Sequence, residues 1–559
     1  MFENMQGALN ELFTWSSALG LLIGVVGGMI IGALPGLSAT MGIALLIPVT
    51  YGMRPSAAIL MLAAIYTSAV YGGSISAILI HTPGTPSSAA TCLDGYPMAQ
   101  KGESLHAIGI STTSSVIGGV ISAIALLLIA PPLARLSLKF GSTEYFLIAV
   151  FGLTLIASLA ADNMVKGLLA GFFGPTVGLI GLAADGSSRY TFGITGLLGG
   201  INLIPAMIGL FSISQVMIQA DERGKAPEKK EVAKIAGRFL PTGREFVRLI
   251  PLILECSVVG VFIGILPGAG GDIASWVGLN LAKNQSKHPE LFGTGIVEGV
   301  AAPESANNAV TGGALIPLLT LGIPGDGVTA LLLGAFMLHG ITPGPTMFTK
   351  QGVMAYTIII GCLIANIFLF PIGKALTRAV AKVIQVRYTY LACAIIMFCF
   401  AGAFAASGHV KELILTAGIL ILSYVLTILD IDNTPLLLGM ILEPIMEKYF
   451  VSASMAYDRD YTIFVRRPIS LIILIITVVM VISMMRVNRR VNALNAQQEA
   501  AMAAAHEEAG SMEDEARAVD TVKTDTEASF EDAVADAVFE QEHVKADPEV
   551  KVNLDKKDD

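Results

Sequence analysis

The chain has 559 residues, 54% hydrophobic and only 14% charged, with a net charge of −9 and a mean hydropathy of +0.70. Soluble domains carry about 25% charged residues. A soluble bundle this apolar needs amphipathic outer helices, and these are almost absent before residue 220. The composition therefore excludes a soluble enzyme or nucleic-acid-binding domain and points to an all-α polytopic membrane protein.

The N-terminal stretch MFENMQGALNELFTW lacks the basic region of a secretory signal, so the first span is expected to be retained. A run of about 20 apolar residues crosses a ~30 Å hydrocarbon core. Such runs occur at 15–34, 56–80, 108–130, 144–161, 165–184 and 194–218, and again at 249–266, 312–338, 352–373, 388–406, 411–429 and 468–485. They predict 10–12 transmembrane helices. The five cysteines have no CxxC spacing and the seven histidines no HExxH, so neither a disulfide framework nor a permanent metal site is expected.

Charge divides the chain. Residues 221–248 hold eight Lys or Arg and five Asp or Glu, a linker expected on the cytoplasmic side by the positive-inside rule. Residues 491–559 hold nineteen Asp or Glu and six Lys or Arg, and too few apolar residues to offset the entropy of ordering. A solvated tail is expected there, and Arg486, Arg489 and Arg490 suggest a cytoplasmic one. The reading is a membrane half at 1–220, the linker at 221–248, a second membrane half with a terminal helix at 249–490, and the tail.

The two halves share motifs in one order. Pro35 matches Pro267 at an offset of 232, AVYGG at 69–73 matches AVTGG at 309–313 at 240, and TPG at 82–84 matches IPG at 323–325 at 241. An ancestral duplication accounts for this, and secondary transporters with inverted repeats carry interrupted helices at matching positions. A backbone in hydrocarbon must satisfy its N–H and C=O groups internally, so a Pro-Gly break is tolerated only inside protein or around a wet cavity. There, helix N-termini suit an anion and helix C-termini suit a hard cation. The plainer reading is a kink, but two copies followed by small or polar residues favour a functional break.

The candidate substrate and ion site is read from these motifs. The first half supplies Pro35, Gly36, Ser38 and Thr40; Thr67 and Ser68; and His81, Thr82, Pro83, Gly84, Thr85 and Ser87. The second supplies Pro267, Gly268, Gly270 and Asp272; Glu304, Ser305, Asn307 and Asn308; and Pro324, Gly325 and Asp326. Thr67 and Ser68 align with Asn307 and Asn308, and the four are expected around one polar cavity. Residues 298–308 could instead form a loop outside the membrane. Asp272 and Asp326 each follow a break, where an N-cap and a coupling role are both open. AGGD at 269–272 is similar to the GxGD of intramembrane aspartyl proteases but lacks a partner acid, and a channel with a broken-helix filter is the other alternative.

GGSISAILIHTPGTPSSAATCLDGYPMAQKGE, SKHPELFGTGIVEGVAAPESANNAVTGGALIP and LTLGIPGDGVTALLLGAFMLHGITPGP, with the GxLPG breaks, resemble one family over residues 18 to 480. It is the large integral-membrane subunit of tripartite tricarboxylate transporters. The resemblance implies a permease of the bacterial cytoplasmic membrane that takes up di- or tricarboxylates. It implies a small integral-membrane subunit, a periplasmic solute-binding protein, and Na⁺ as coupling ion, with no other cofactor and no ATP. Related ion-coupled carboxylate transporters imply inverted repeats with re-entrant hairpins. The family pattern has Asn before the first Pro-Gly of TPG; this chain has His81.

Overall fold

Helices account for nearly all of the computed structural model, which describes residues 2–35, 37–159, 164–183, 186–214, 216–218, 233–266, 270–384, 386, 388–429 and 431–482. The first half contains α1 (Phe2–Leu12), α2 (Trp15–Ala33), α3 (Ala39–Thr50), α4 (Pro55–Ile80), α5 (Ala89–Gln100), α6 (Ser104–Ser137), α7 (Ser142–Leu159) and α8 (Met164–Gly178). A two-residue antiparallel ribbon, Gly181–Leu182 with Ser188–Arg189, and α9 (Leu203–Met207) running into a π-helical stretch complete it. The second half contains α10 (Gly243–Ile265), α11 (Gly270–Gln285), α12 (Glu298–Leu321), α13 (Gly327–Leu338), α14 (Gly352–Val383), α15 (Tyr388–Ser407), α16 (Val410–Ile428), α17 (Asn433–Ala456) and α18 (Pro468–Ile482).

Among the described residues, six helices are long and apolar enough to cross a membrane: α2, α4, α6, α10, α14 and α16. Shorter apolar helices, α3 and α13 among them, are too short to cross alone. Polarity is arranged inside out. The outer faces of α2, α10 and α14 expose Leu22, Ile23, Val258, Phe262, Ile367 and Phe368, while Ser68, Ser74, Glu304, Asn307 and Asn308 are buried. In water this distribution is unfavourable; in lipid it is what the solvent demands.

The structure departs from the sequence reading at four places, one of them an alternative reading. The apolar run 312–338 is not one span: α12 ends at Leu321 and α13 begins at Gly327, because Gly322, Pro324 and Gly325 stop the helix. Residues 298–308 are no loop but the first turns of α12. An unpredicted helix, α17, fills 433–456, started by Asp432, whose side chain accepts the N–H of Thr434 at 2.8 Å. The start of the 194–218 run is a 3₁₀ turn, Thr195–Leu197, rather than membrane helix.

α4 and α12 form the centre; nearly every residue of each is buried. Each is flanked through glycines by the helix before its own break. Gly28 and Gly32 of α2 lie against Ile65 and Ala69 of α4, and Gly260 and Gly264 of α10 lie against Ala306 and Val310 of α12. Longer helices cross over: α6 packs on α12, α14 on α4, α8 on α17, and α16 on residues Ile208–Ile213. Of the linker, residues 233–242 are described, and Gly243 already opens α10. The Ala233 N–H donates to Leu79 O at 2.9 Å and the Leu105 N–H to Ala236 O at 2.9 Å, so this segment straps the end of α4 to the start of α6. Asp94 of α5 accepts N–H groups from Gly293, Gly295 and Ile296 at 2.9, 2.9 and 3.1 Å, fixing the approach to α12. Arg467 bonds Glu144 at 2.9 Å and ties the start of α18 to α7. The acidic tail 491–559 lies outside the described residues.

Candidate functional site

Each half interrupts its helices twice, and the interruptions share their backbone. α2 ends with the Leu34 N–H on Ile31 O at 3.2 Å; α10 ends with the Leu266 N–H on Ile263 O at 3.1 Å. Neither helix continues through its Pro-Gly. α3 starts after Ser38, whose hydroxyl accepts the Met41 N–H at 3.2 Å, and α11 starts at Gly270, with φ +57°. Gly36, Pro267 and Gly268 lie outside the described residues.

The second interruption follows α4 and α12. α4 ends on His81 at φ 52° and α12 on Gly322 at φ 75°, both in the left-handed region. Gly adopts this conformation freely, and Asn, Asp and His do so more readily than bulkier residues. Pro83-Gly84 and Pro324-Gly325 follow. The next turn is then capped in each half. Thr85 precedes a 3₁₀ turn, Pro86–Ser88, and its N–H donates to Ser88 Oγ at 3.4 Å. Asp326 opens α13 with Oδ1 accepting the Thr329 N–H at 2.8 Å, while Thr329 Oγ accepts the Asp326 N–H at 2.8 Å. The Tyr66 hydroxyl donates to the other Asp326 oxygen.

The starts of these short helices meet across the halves. A Cβ at Gly271, in the first turn of α11, would run into the Asn307 amide and come within 3.3 Å of Ser87. One at Gly270 would lie 3.9 Å from Asp326. One at Gly327, in the first turn of α13, would lie 4.0 Å from Thr40 of α3 and 3.4 Å from Thr434 of α17. The N-terminal ends of α3, α13, α11 and the 3₁₀ turn before α5 thus follow one another as neighbours, and that of α11 abuts Asn307. Each helix end carries roughly half a positive charge on its unpaired N–H groups. Asn307 is 1% exposed, and neither Nδ2 nor Oδ1 has a hydrogen-bond partner. An unpaired buried amide group costs about 1–3 kcal/mol, so a ligand that completes both recovers that energy.

The remaining predicted residues divide. Ser38 and Thr85 are helix caps. Thr82 Oγ donates to Ile80 O at 3.2 Å. Thr67 Oγ donates to Ala64 O at 3.1 Å, and Ser68 Oγ to Ala64 O and Gly24 O at 2.6 and 3.2 Å. Among the described residues no hydrogen bond joins Thr67 or Ser68 to Asn307 or Asn308. Ser305 bonds within α12, to Ala302 O at 3.1 Å. His81 is exposed and stacks on Tyr96, with ring centroids 4.6 Å apart. Asp272 is exposed on the first turn of α11.

Glu304 differs from all of these. It is fully buried and gathers four hydroxyl donors: Ser74 of α4, Thr91 of α5 at 2.5 Å, and Ser111 and Ser115 of α6 at 3.0 and 2.8 Å. The sequence motifs did not mark these four partners. The i, i+4 spacing of Ser111 and Ser115 in the ISTTSS stretch was the available signal.

Two central buried helices, outer apolar faces and a polar interior of broken helices define a polytopic membrane protein. Residues 19–438 match the tripartite tricarboxylate transporter TctA family. A protein of Agrobacterium vitis described as an uncharacterized 52.8 kDa protein in the TAR-I ttuC' 3' region is 36% identical over 473 residues, covering 84% of this chain and 93% of that one. A second from the same organism, described as an uncharacterized protein in the TAR-II ttuC' 3' region, is 40% identical over 213 residues, covering 38% of this chain and 87% of that one. No solved structure matches. The chain belongs to the TctA family and is the permease component of a tricarboxylate transporter.

Proposed function

We propose that this chain is the large membrane subunit of a secondary uptake system for di- and tricarboxylates in the bacterial cytoplasmic membrane. A periplasmic solute-binding protein delivers the carboxylate, a small integral-membrane subunit completes the permease, and the Na⁺ gradient drives accumulation. Family membership supports the tripartite assembly. The basic residues of the linker and those before the acidic tail support a cytoplasmic side for both.

The observation that carries the substrate assignment is Asn307: a fully buried amide with both polar atoms unpaired, set against the N-terminal turn of α11. An amide donor with converging N–H groups is chemistry for a carboxylate. The matched offsets, helix ends and caps support an ancestral duplication, with the site between the halves. Basic side chains are scarce there, so helix ends alone leave a di- or trianion under-compensated. Cotransported cations provide the balance.

Co-reconstitution tests this reading. Vesicles holding this chain and the small subunit, supplied with the binding protein, are expected to take up citrate or a related carboxylate saturably, and omission of any one component to abolish uptake. Uptake that persists without the binding protein, or a single-channel current in place of saturable uptake, would reject it.

A further inference from the structure

The four hydroxyls on Glu304 are all neutral. Among the described residues no Lys, Arg or His pairs with this carboxylate. An ionised Glu304 would stand at the centre of the molecule without a counter-charge among the described residues, and an unpaired buried ion is unfavourable.

A second observation lies along the same seam. Asn308, one turn further along α12, donates Nδ2 to Glu304 O at 3.4 Å, and its fully buried Oδ1 has no partner. Asn366 of α14 repeats the pattern: Nδ2 donates to Cys362 O at 2.8 Å and the buried Oδ1 is unpaired. That oxygen lies where a Cβ of Gly119 on α6 would fall, one turn beyond Ser115. The wall between α6 and α12 is thus rich in oxygen acceptors and lacks positive charge.

We propose that Glu304, with the hydroxyl oxygens of Ser74, Thr91, Ser111 and Ser115, binds one Na⁺. The donor set is all oxygen, which selects a hard cation. A single carboxylate among neutral ligands matches a monovalent ion; divalent sites recruit more charge. Glu304 lies one turn of α12 before Asn307, so a cation there supplies positive charge beside the carboxylate site. Occupancy of each site then favours the other, which is the thermodynamic content of coupling. The four hydroxyls come from three helices, α4, α5 and α6, so an ion held there also draws these onto α12.

This assignment rests on reading the chain as an ion-coupled carboxylate permease, and its test separates the two. Radioactive sodium binding is measured on the full chain in nanodiscs, with potassium as the competing salt. Wild type is expected to bind sodium saturably, Glu304→Gln at least about tenfold more weakly, and Asn307→Ala as wild type does while losing carboxylate binding. A Ser111→Ala/Ser115→Ala double variant is expected to bind sodium about tenfold more weakly too, and it decides alone if the Gln variant is not recovered folded. Equal sodium binding by wild type and these variants overturns the site, even where carboxylate uptake is intact. No sodium binding by wild type overturns it as well. Sodium binding lost in Glu304→Gln supports the site, even where no carboxylate is taken up.

Discussion

The two breaks after α4 and α12 have one backbone and two chemistries. Both leave the helix through a left-handed residue, pass a Pro-Gly, and restart under a capped turn. What the backbone demands is kept in both halves. What it leaves free differs: the exit is His81 or Gly322, the cap is Thr85 or Asp326, and the central helix carries Thr67 and Ser68 or Asn307 and Asn308. Thr67 and Ser68 turn their hydroxyls to helix carbonyls, whereas Asn307 and Asn308 leave amide groups unpaired. The comparison teaches that the break is scaffold and that the ligand chemistry sits mainly on α12.

The largest effect that can break this comparison is at Asn307. Replacing it with Ala removes two unpaired groups from the site, while its counterpart Thr67 bonds only within α4. Asn307→Ala is expected to lower carboxylate uptake about 10- to 100-fold, the size of one hydrogen bond lost from the Nδ2 donor to a charged ligand. Thr67→Ala is expected to stay within a few-fold of wild type. Equal losses in both, at equal membrane abundance, would place the site symmetrically instead.

Next come the glycines of the breaks. A Cβ at Gly84 would strike Gly32 O and come within 2.8 Å of Gly73 Cα; one at Gly325 would come within 2.7 Å of Ala314 Cα and 2.8 Å of Gly264 O. These obstacles are backbone, which cannot rotate away. Gly84→Ala and Gly325→Ala should each destabilise the chain by about 1–3 kcal/mol, read as lowered melting temperature in detergent. A neutral result for one alone would show that its break is looser.

The helix exit is the third handle. His81→Asn keeps a residue tolerant of positive φ and should leave both stability and uptake near wild type. His81→Val should cost about 1–2 kcal/mol of backbone strain. Loss of uptake in His81→Asn with stability unchanged would give the imidazole a direct role in transport.

Asp326 offers the smallest effect. Its carboxylate caps α13 and accepts from Tyr66, so Asp326→Asn, which keeps a capping oxygen, should change stability by under about 1 kcal/mol and preserve ion-driven uptake. Abolished uptake in this variant would make Asp326 an ion carrier.

Much of this was legible in the sequence. Pro and Gly announce breaks because they remove a donor and permit left-handed backbone, and the matched spacing of Pro35 with Pro267 located both pairs. The capping reading of Asp326 was one of two that its position allowed. Other features were hidden for physical reasons. The run 312–338 averages to an apolar span, which masks five non-helical residues within it. α17 carries Glu443, Glu447 and Lys448, so its hydropathy falls below that of a lipid-facing helix. The partners of Glu304 come from three other helices, and only tertiary packing brings Ser74, Thr91, Ser111 and Ser115 to one carboxylate.

The central claim is that an ion gradient drives a carboxylate into the site around Asn307. The most direct measurement uses vesicles containing this chain and the small subunit, with the binding protein outside, under an inward Na⁺ gradient at equal pH and then under a pH gradient without Na⁺. The account predicts carboxylate accumulation above equilibrium in the first condition, none in the second, and none in either with Asn307→Ala. Accumulation driven by the pH gradient alone, or undiminished in Asn307→Ala, would contradict it.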